Sequence, residues 1–516
     1  MVLTLGTFTR RVFLFALASL ASIVRADVRL PAIFGDHMVL QQGATLPVWG
    51  TADPGEHVLV SIGERCQETT ADSKGNWRVT FRPVFQSSKP LSLIINGNNR
   101  MQIDDVLVGD VWICAGEGNM AFPLSDAASG NVTGMEGTDR ELRFFQSDER
   151  ISWHPDHQGS GHWVVCSAET APGFSGVGYF FARDIRSSHH IPVGMIQCTC
   201  QETPVASWIS LRSLAQPPSF STFLADFVRG EDSLKKFKAK DDSSTEYFDR
   251  NKKIPSVLFN GMISPLIPYS ITGVIWYQGE SDDGMNALAY RRMLPRLIRD
   301  WRSHWAQGPF PFFFVSLAGF GGDEGSFIDE YSVSDGRIHG GLPWIREGID
   351  ATLALPSTGM ATATDLGVRS DRYPPDKLDV GRRLAKLARR RVYGEELVDT
   401  GPVFQRIKAE ENRMRIEFAS IGSGLAIGVS PWQPENTLPE ITTMLKGFAI
   451  SGNDRKWFPA VAKIEGDSVL VSSDAVRYPT AVRYNWKCFP DGNLYNKEGL
   501  PAPPFRTDTD QPLTHP

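Results

Sequence analysis

The sequence predicts an α/β protein: a doubly wound, mostly parallel sheet flanked by N- and C-terminal β-sandwich-like domains. Three observations carry that expectation. The chain has 516 residues, more than one ordinary domain, with 41% hydrophobic and 22% charged residues, as in soluble globular proteins. Its middle alternates short apolar runs with stretches of helical periodicity. Its two ends carry strand patterns and turn signals without that alternation.

Residues 1–26 read as an export signal. Arg10-Arg11 precede an apolar run from Val12 to Val24, and Val24-Arg25-Ala26 suits cleavage after Ala26. Thr9-Arg10-Arg11-Val12-Phe13-Leu14 also looks like a twin-arginine signal, with Sec export fitting nearly as well. The run is too short to span a membrane, so an exported protein, periplasmic or secreted, is expected. Asn131-Val-Thr133 is a glycosylation sequon, read as incidental because the signal looks bacterial.

Residues 27–105 read as all-β. Val58, Val60 and Ile62 alternate with less apolar neighbours, Trp77 to Phe81 repeat the pattern, and Leu91 to Ile95 form a third run. Asp53-Pro-Gly55, Ser73-Lys-Gly-Asn76 and Asn96-Gly97 supply the turns.

Residues 106–400 form the α/β part. Its expected strands are Val108–Cys114, Val193–Cys200, Gly273–Tyr277, Phe312–Leu317 and Gly359–Thr364. Its expected helices are Phe174–Ser187, Ala289–Trp305 and Leu378–Tyr393, with a polar, helical insertion at 212–253 and a long loop at 319–341. Residues 401–516 return to β character at Met414–Phe418, Val469–Val471 and Ala481–Tyr484.

Composition narrows the partners. A net charge of −6 without a long basic run argues against nucleic acid. Thirteen Trp suit sugar platforms, although core packing is the plainer role for most of them. Six scattered Cys show no metal-ligand spacing; one disulfide or buried thiols are the alternatives. No metal or cofactor is expected.

The stretch that organises the chain is Gly109-Asp-Val-Trp-Ile-Cys-Ala-Gly-Glu-Gly-Asn-Met120, a buried strand running into a small-residue turn. In a doubly wound sheet that is where a nucleophile or anion site belongs. This turn offers a carboxylate, Glu117, between two glycines, and then Asn119.

Further blocks place this stretch in a context. They are Leu30-Pro-Ala-Ile-Phe-Gly-Asp-His-Met-Val-Leu-Gln41 and Pro47-Val-Trp-Gly50; Gly273-Val-Ile-Trp-Tyr-Gln-Gly-Glu-Ser281; Asp365-Leu-Gly367, Lys377 and Val380-Gly-Arg-Arg-Leu-Ala385; Leu494 to Pro501; and Pro504-Phe-Arg-Thr-Asp508. Together they resemble the sialate O-acetylesterase family, which has the SGNH-hydrolase fold, over nearly the whole chain after residue 26. The resemblance also locates departures. The family's turn reads Gly-Gln-Ser-Asn-Met, its Ser being the nucleophile; Glu117 and Gly118 stand at the Gln and Ser positions, and Ala115 replaces an earlier Ser. The general base of an Ile-His-Pro segment aligns with Tyr373, between Arg372 and Pro374. The Gly-Gly-Thr-Pro run, whose first Gly lines the oxyanion hole, aligns with Gln201-Glu202-Thr203-Pro204.

Gly118 cannot attack an ester, and a Tyr, ordinarily titrating near pH ~10, is no imidazole base at neutral pH. Carboxylates at 117 and 202 would repel an oxyanion. The residue types instead suggest a glycosidase, which needs paired carboxylates. Glu117, Glu202, Glu280, Asp282, Asp283 and Asp365 all fall at or near the strand ends through the resemblance. A sugar bearing its own carboxylate suits a Tyr nucleophile and an Arg clamp. The expected function is therefore an exo-sialidase-type hydrolase on an esterase-derived fold, acting on sialylated glycans or mucin-type glycoproteins. Tyr373 would be the nucleophile, Glu117 or Glu280 its base, and Asp365 or Asp371 an acid/base. Arg346, Arg369 and Arg372 would hold the sugar carboxylate, with Asn119, Gln278, Glu202 and Trp208 lining the site. Trp276 is read as core, and Arg382 and Arg383 as surface or helix-structural. A sialate O-acetylesterase and a non-catalytic sialoglycan-binding protein remain the alternatives.

Overall fold

The computed structural model describes residues 27–128, 138–216, 220–237, 245–284, 286–322, 332–334, 337–431 and 443–509. The expected export signal and the Asn131 sequon lie outside them.

Among the described residues, the strands as far as Ser316 are β1 Val39–Gln41, β2 Leu46–Thr51, β3 His57–Ile62, β4 Arg65–Thr70, β5 Asn76–Phe81, β6 Ser87–Asn96, β7 Arg100–Gly116, β8 Asp139–Ser147, β9 Gly161–Cys166, β10 Val193–Thr199, β11 Gly273–Tyr277 and β12 Phe312–Ser316. A hairpin of β13 (Ser332–Ser334) and β14 (Arg337–His339) follows within the expected long loop, and then β15, Thr358–Thr362. The helices are α1 Gly118–Ala121, α2 Gly176–His189, α3 Leu211–Ala215, α4 Ser221–Phe237, α5 Thr245–Asn251, α6 Ala287–Trp305, α7 Gly341–Ala351 and α8 Leu378–Arg391.

The central sheet runs β15-β12-β11-β7-β10-β8-β9. All its pairings are parallel except β8 with β9. The expected strands are all present, within a few residues at their ends except that β7 begins at Arg100, well before the expected Val108. Strand β7 explains the junction with the N-terminal part. Its first six residues are partly exposed and pair antiparallel with β6, whereas Val106 to Gly116 are buried throughout, as a strand with helices on both faces must be. The boundary expected at 105/106 therefore falls inside one continuous strand.

Register assigns the faces. Trp112 lies opposite Gly273, and Ala115 opposite Trp276, so the two tryptophans point to opposite sides of the sheet. Trp112 packs edge-on to Phe181 of α2, and Trp276 edge-on to Trp301 of α6. Helix α2 packs with α8 and α6 with α7, giving a helix pair on each face. Helix α2 begins where Ser175 accepts a hydrogen bond from the Gly178 N–H, and ends at His190 in a left-handed conformation. The long α6 buries Tyr290, Met293, Leu294, Leu297, Ile298, Trp301 and Trp305 on one stripe despite Pro295 in its interior.

The C-terminal part has its own apolar core around Ile416, Ile450, Val469, Val471, Val482 and Leu494. Two four-stranded antiparallel sheets supply most of it, and Leu494 comes from a separate two-stranded antiparallel pair. No helix among the described residues is long and apolar enough to cross a membrane. All six cysteines are free thiols, five of them buried, so the disulfide alternative is not realised.

Candidate active site

Strand order puts β10 on one side of β7 and β11 on the other, so the carboxyl end of β7 is the switch point of the sheet. Two glycines make the turns there. Gly116 has φ of +145°, and a Cβ on it would lie 2.1 Å from the Tyr277 carbonyl oxygen. Gly279 has φ of +148°. No L side chain is at ease in either conformation, and the pair lets the ends of β7 and β11 close on one another.

Glu117 is fully buried. Its Oε1 accepts from the Gly279 N–H (2.9 Å) and the Ser281 N–H (3.0 Å), while its Oε2 accepts from the Ser281 hydroxyl. Asn119, also buried, donates through Nδ2 to Glu280 Oε1 at 2.6 Å and to the Arg372 carbonyl at 3.0 Å. Its Oδ1 accepts from Lys377 Nζ at 2.6 Å, and the same ammonium donates to the Pro374 carbonyl at 2.6 Å. Glu117, Asn119, Glu280 and Lys377 are thus one connected cluster that reaches across to the 372–374 loop.

Burial dominates the electrostatics. Desolvation, and then repulsion from Glu117, push the Glu280 carboxyl up to about 8. Its Oε2 is buried and receives no hydrogen bond from any N–H or hydroxyl among the described residues, and the carboxyl lies against that of Glu117. Two adjacent buried carboxylates cannot both ionise at neutral pH, so Glu280 holds a proton. Burial brings Lys377 down to about 7, with Glu280 the first of the carboxylates opposing it. Asp282 is pushed up to about 7 by burial, although Gln278 Nε2 (2.7 Å) and the Val205 N–H (2.8 Å) donate to it. Gln278 is held in turn by the Tyr290 hydroxyl, which donates to its Oε1 at 3.0 Å.

Gly118 and Tyr373 face each other. A Cβ at 118 would lie 2.2 Å from Tyr373 Cε1 and 2.8 Å from its hydroxyl oxygen. The ring occupies the space into which a side chain at 118 would project, so the positions that the resemblance gives to nucleophile and base are adjacent. Tyr373 is half-buried, and desolvation followed by the Glu117 charge raises its phenol above the ordinary value. It is poorly suited to be an anionic nucleophile.

Of the residues expected at the site, Glu117, Asn119, Gln278, Glu280 and Tyr373 gather at the ends of β7 and β11. Arg372 lies on the rim beside Tyr373, its guanidinium 5.2 Å from the Phe320 ring centre. Arg369 donates to the Gly321 and Gly322 carbonyls and stacks over Phe489 at 4.5 Å. The others are engaged elsewhere. Asp365 is held by Arg383 at 2.6 and 2.7 Å and by the Tyr495 hydroxyl at 2.8 Å. Arg383, expected at the surface or in a structural role on its helix, is one half of that buried pair. Arg346 donates to the carbonyls of Leu317, Ala318, Lys487 and Cys488, tying α7 and β12 to the C-terminal part. Glu202 has a left-handed backbone, and its exposed carboxylate lies 3.6 Å from Lys253. Trp208 is buried, donates to the Thr203 hydroxyl and packs edge-on to Trp276, a place in the core and not in a sugar pocket. Ser281 and Lys377 carry no assigned role in the sequence reading, and Asp282 is counted there only among the strand-end carboxylates. A hydroxyl and a carboxylate directly after a buried strand were the available signal.

The model of the sialic acid-specific acetylesterase family of carbohydrate esterases matches residues 108–386, which hold the whole cluster. The chain belongs to that family. It is similar to a carbohydrate acetylesterase from Xanthomonas citri of known structure, with 34% identity, 93% of this chain and 100% of that one covered, and a TM-score of 0.79. It is similar along its length to the sialate O-acetylesterases of Homo sapiens (26% identity) and Pongo abelii (27% identity), with 92% of each chain covered in both cases. These findings overturn the sialidase-type glycosidase expected from the residue types, because the family and the similar proteins are carbohydrate esterases. The geometry gives the reason for the error. Residues counted toward a carboxylate pair and an arginine clamp are spread over separate structural networks, and Asp365 and Arg346 spend their hydrogen bonds inside the protein.

Proposed function

We propose that this protein hydrolyses O-acetyl esters on sialic acid, free or carried on sialylated and mucin-type glycans. The observation that carries the reading is the convergence of Glu117–Met120, Gln278–Ser281 and Tyr373–Lys377 at the switch point of a fold belonging to an acetylesterase family. Such a site supplies what ester hydrolysis needs from a scaffold: rigid strand ends, a water-poor interior and titratable groups whose protonation differs from that in water. The assay is release of acetate from O-acetylated sialic acid and from an acetylated mucin, read beside binding of the deacetylated sugar by calorimetry. Acetate release that saturates with substrate is the expected result.

A second reading has one specific observation in its favour. Gly118 carries no hydroxyl and the Tyr373 ring fills the space beside it, which suits a protein that binds the acetylated sugar without turning it over. Saturable binding with no acetate released selects this reading. Neither binding nor release refutes both.

A further inference from the structure

Ester hydrolysis by covalent catalysis needs a hydroxyl in contact with a base, the hydroxyl reachable by substrate and the base behind it. Position 118 has no hydroxyl. Ser281 does, four residues after β11 ends, and it is partly exposed while Glu117 behind it is fully buried. Its Oγ donates to Glu117 Oε2, so its proton already points at an acceptor. The Ser281 and Gly279 backbone N–H groups fix the other carboxylate oxygen, which holds the acceptor in a single orientation.

An anchoring role alone accounts less well for a carboxylate here. A glutamine at 117 would accept from the same two N–H groups and meet the same hydroxyl without the cost of a buried charge. What the carboxylate adds is the capacity to take a proton. Glu280, pushed up to about 8 by its burial and by the neighbouring Glu117, keeps its own proton and does not compete for the one on the Ser281 hydroxyl.

We propose that Ser281 is the nucleophile of this site and Glu117 its general base, a serine–carboxylate pair that stands in for the hydroxyl Gly118 lacks. The inference rests on the esterase reading for its substrate. Glu117 takes the Oγ proton as Oγ bonds to the acetyl carbonyl carbon. The tetrahedral adduct then collapses, the bond from carbon to the sugar oxygen breaks, and that oxygen leaves with the proton returned by Glu117. Water, deprotonated by Glu117, attacks acetyl-Ser281; acetate departs and Oγ recovers its proton. No metal, redox partner or second substrate besides water enters the balance.

The test uses the full chain and reads the pair in two ways. A fluorophosphonate probe followed by peptide mass analysis is expected to label Ser281, with labelling about 10²–10⁴-fold slower in Glu117→Gln, the range a positioned base supplies. Acetate release is expected to fall by a similar factor in Glu117→Gln and in Ser281→Ala. Glu117→Gln keeps the oxygen that accepts from the Gly279 and Ser281 N–H groups and turns the other position into an N–H donor to the Ser281 hydroxyl oxygen, so its melting temperature is expected to stay near that of the native protein. A stable Glu117→Gln variant labelled at the native rate overturns the proposal, as does a probe that leaves Ser281 unmodified. Acetate release undiminished in Ser281→Ala overturns it while leaving the esterase reading standing. Labelling of Ser281 that depends on Glu117, in a protein that releases no acetate, supports the pair and removes the esterase reading.

Discussion

Adding a hydroxymethyl group at position 118 tests the geometry of the strand-end turn directly. In Gly118→Ser the new Cβ would sit 2.2 Å from Tyr373 Cε1 and 2.5 Å from Cζ. Ordinary carbon–carbon contact is about 3.5–4.0 Å, so the ring must retreat by more than about 1 Å. The atoms met are the far end of a half-buried side chain, which can swing toward solvent, and the cost expected for such overpacking is about 1–3 kcal/mol. Gly118→Ser alone is therefore expected to melt earlier than the native protein and to gain no hydrolysis. Adding Tyr373→His removes the clash and sets an imidazole beside the new hydroxyl. The double variant is expected to recover the lost stability and to hydrolyse p-nitrophenyl acetate about 10²-fold or more faster than Gly118→Ser, the scale of a positioned general base. Its rate should rise with pH through the ordinary imidazole range near ~6.5. Thermal melts and initial rates across pH 5–9 measure both effects. If Gly118→Ser melts with the native protein, or by itself reaches the double variant's rate, positions 118 and 373 do not face each other as described and the reasoning fails.

Three further outcomes follow from the placement of other side chains. Asp365→Ala leaves Arg383 buried without its carboxylate and is expected to cost about 3–5 kcal/mol in denaturant unfolding; an unchanged unfolding midpoint with lost activity would mean that Asp365 acts on substrate instead. Glu280 has a folded-state value near 8, above that of an unfolded glutamate, so it contributes stability that is present below about pH 4.5 and lost as pH rises through about 8. Glu280→Gln should therefore flatten the decline of melting temperature between pH 5 and 8, and an unchanged slope would show that Glu280 is not the group titrating. Trp208→Ala opens the Trp208–Trp276–Trp301 cluster and is expected to lose about 3–5 kcal/mol of stability. A binding constant for sugar that collapses in a variant of native stability would return Trp208 to the pocket.

Helix periodicity made α2, α6 and α8 legible, because a helix on a sheet needs an apolar stripe and its spacing survives in one dimension. Helix α7 was hidden. It opens at Gly340-Gly341 and carries Pro343 in its first turn, so its start reads as the end of a glycine-rich loop. Strands β8 and β9 escaped notice because one is an edge strand and the other starts with charged residues. The carboxylates were all legible as residue types, and the error lay in grouping them. Asp365 and Arg346 were assigned to substrate because nothing local reveals a partner 18 residues away or a set of carbonyls 28 to 142 residues away.

The sequence by itself determined the α/β class, the strand that ends at the switch point, and the absence of a hydroxyl at residue 118. Those are properties of residue type and of periodicity, which neighbours along the chain are enough to express. Only the tertiary structure decided which charges meet. It placed Ser281 on Glu117 across 164 residues, Lys377 on Asn119 across 258, and the Tyr373 ring over Gly118. The physical reason is that hydrogen bonds and ion pairs are short-range, so a side chain's protonation and role follow from whatever the fold sets within a few ångströms of it, and sequence spacing carries no trace of that distance.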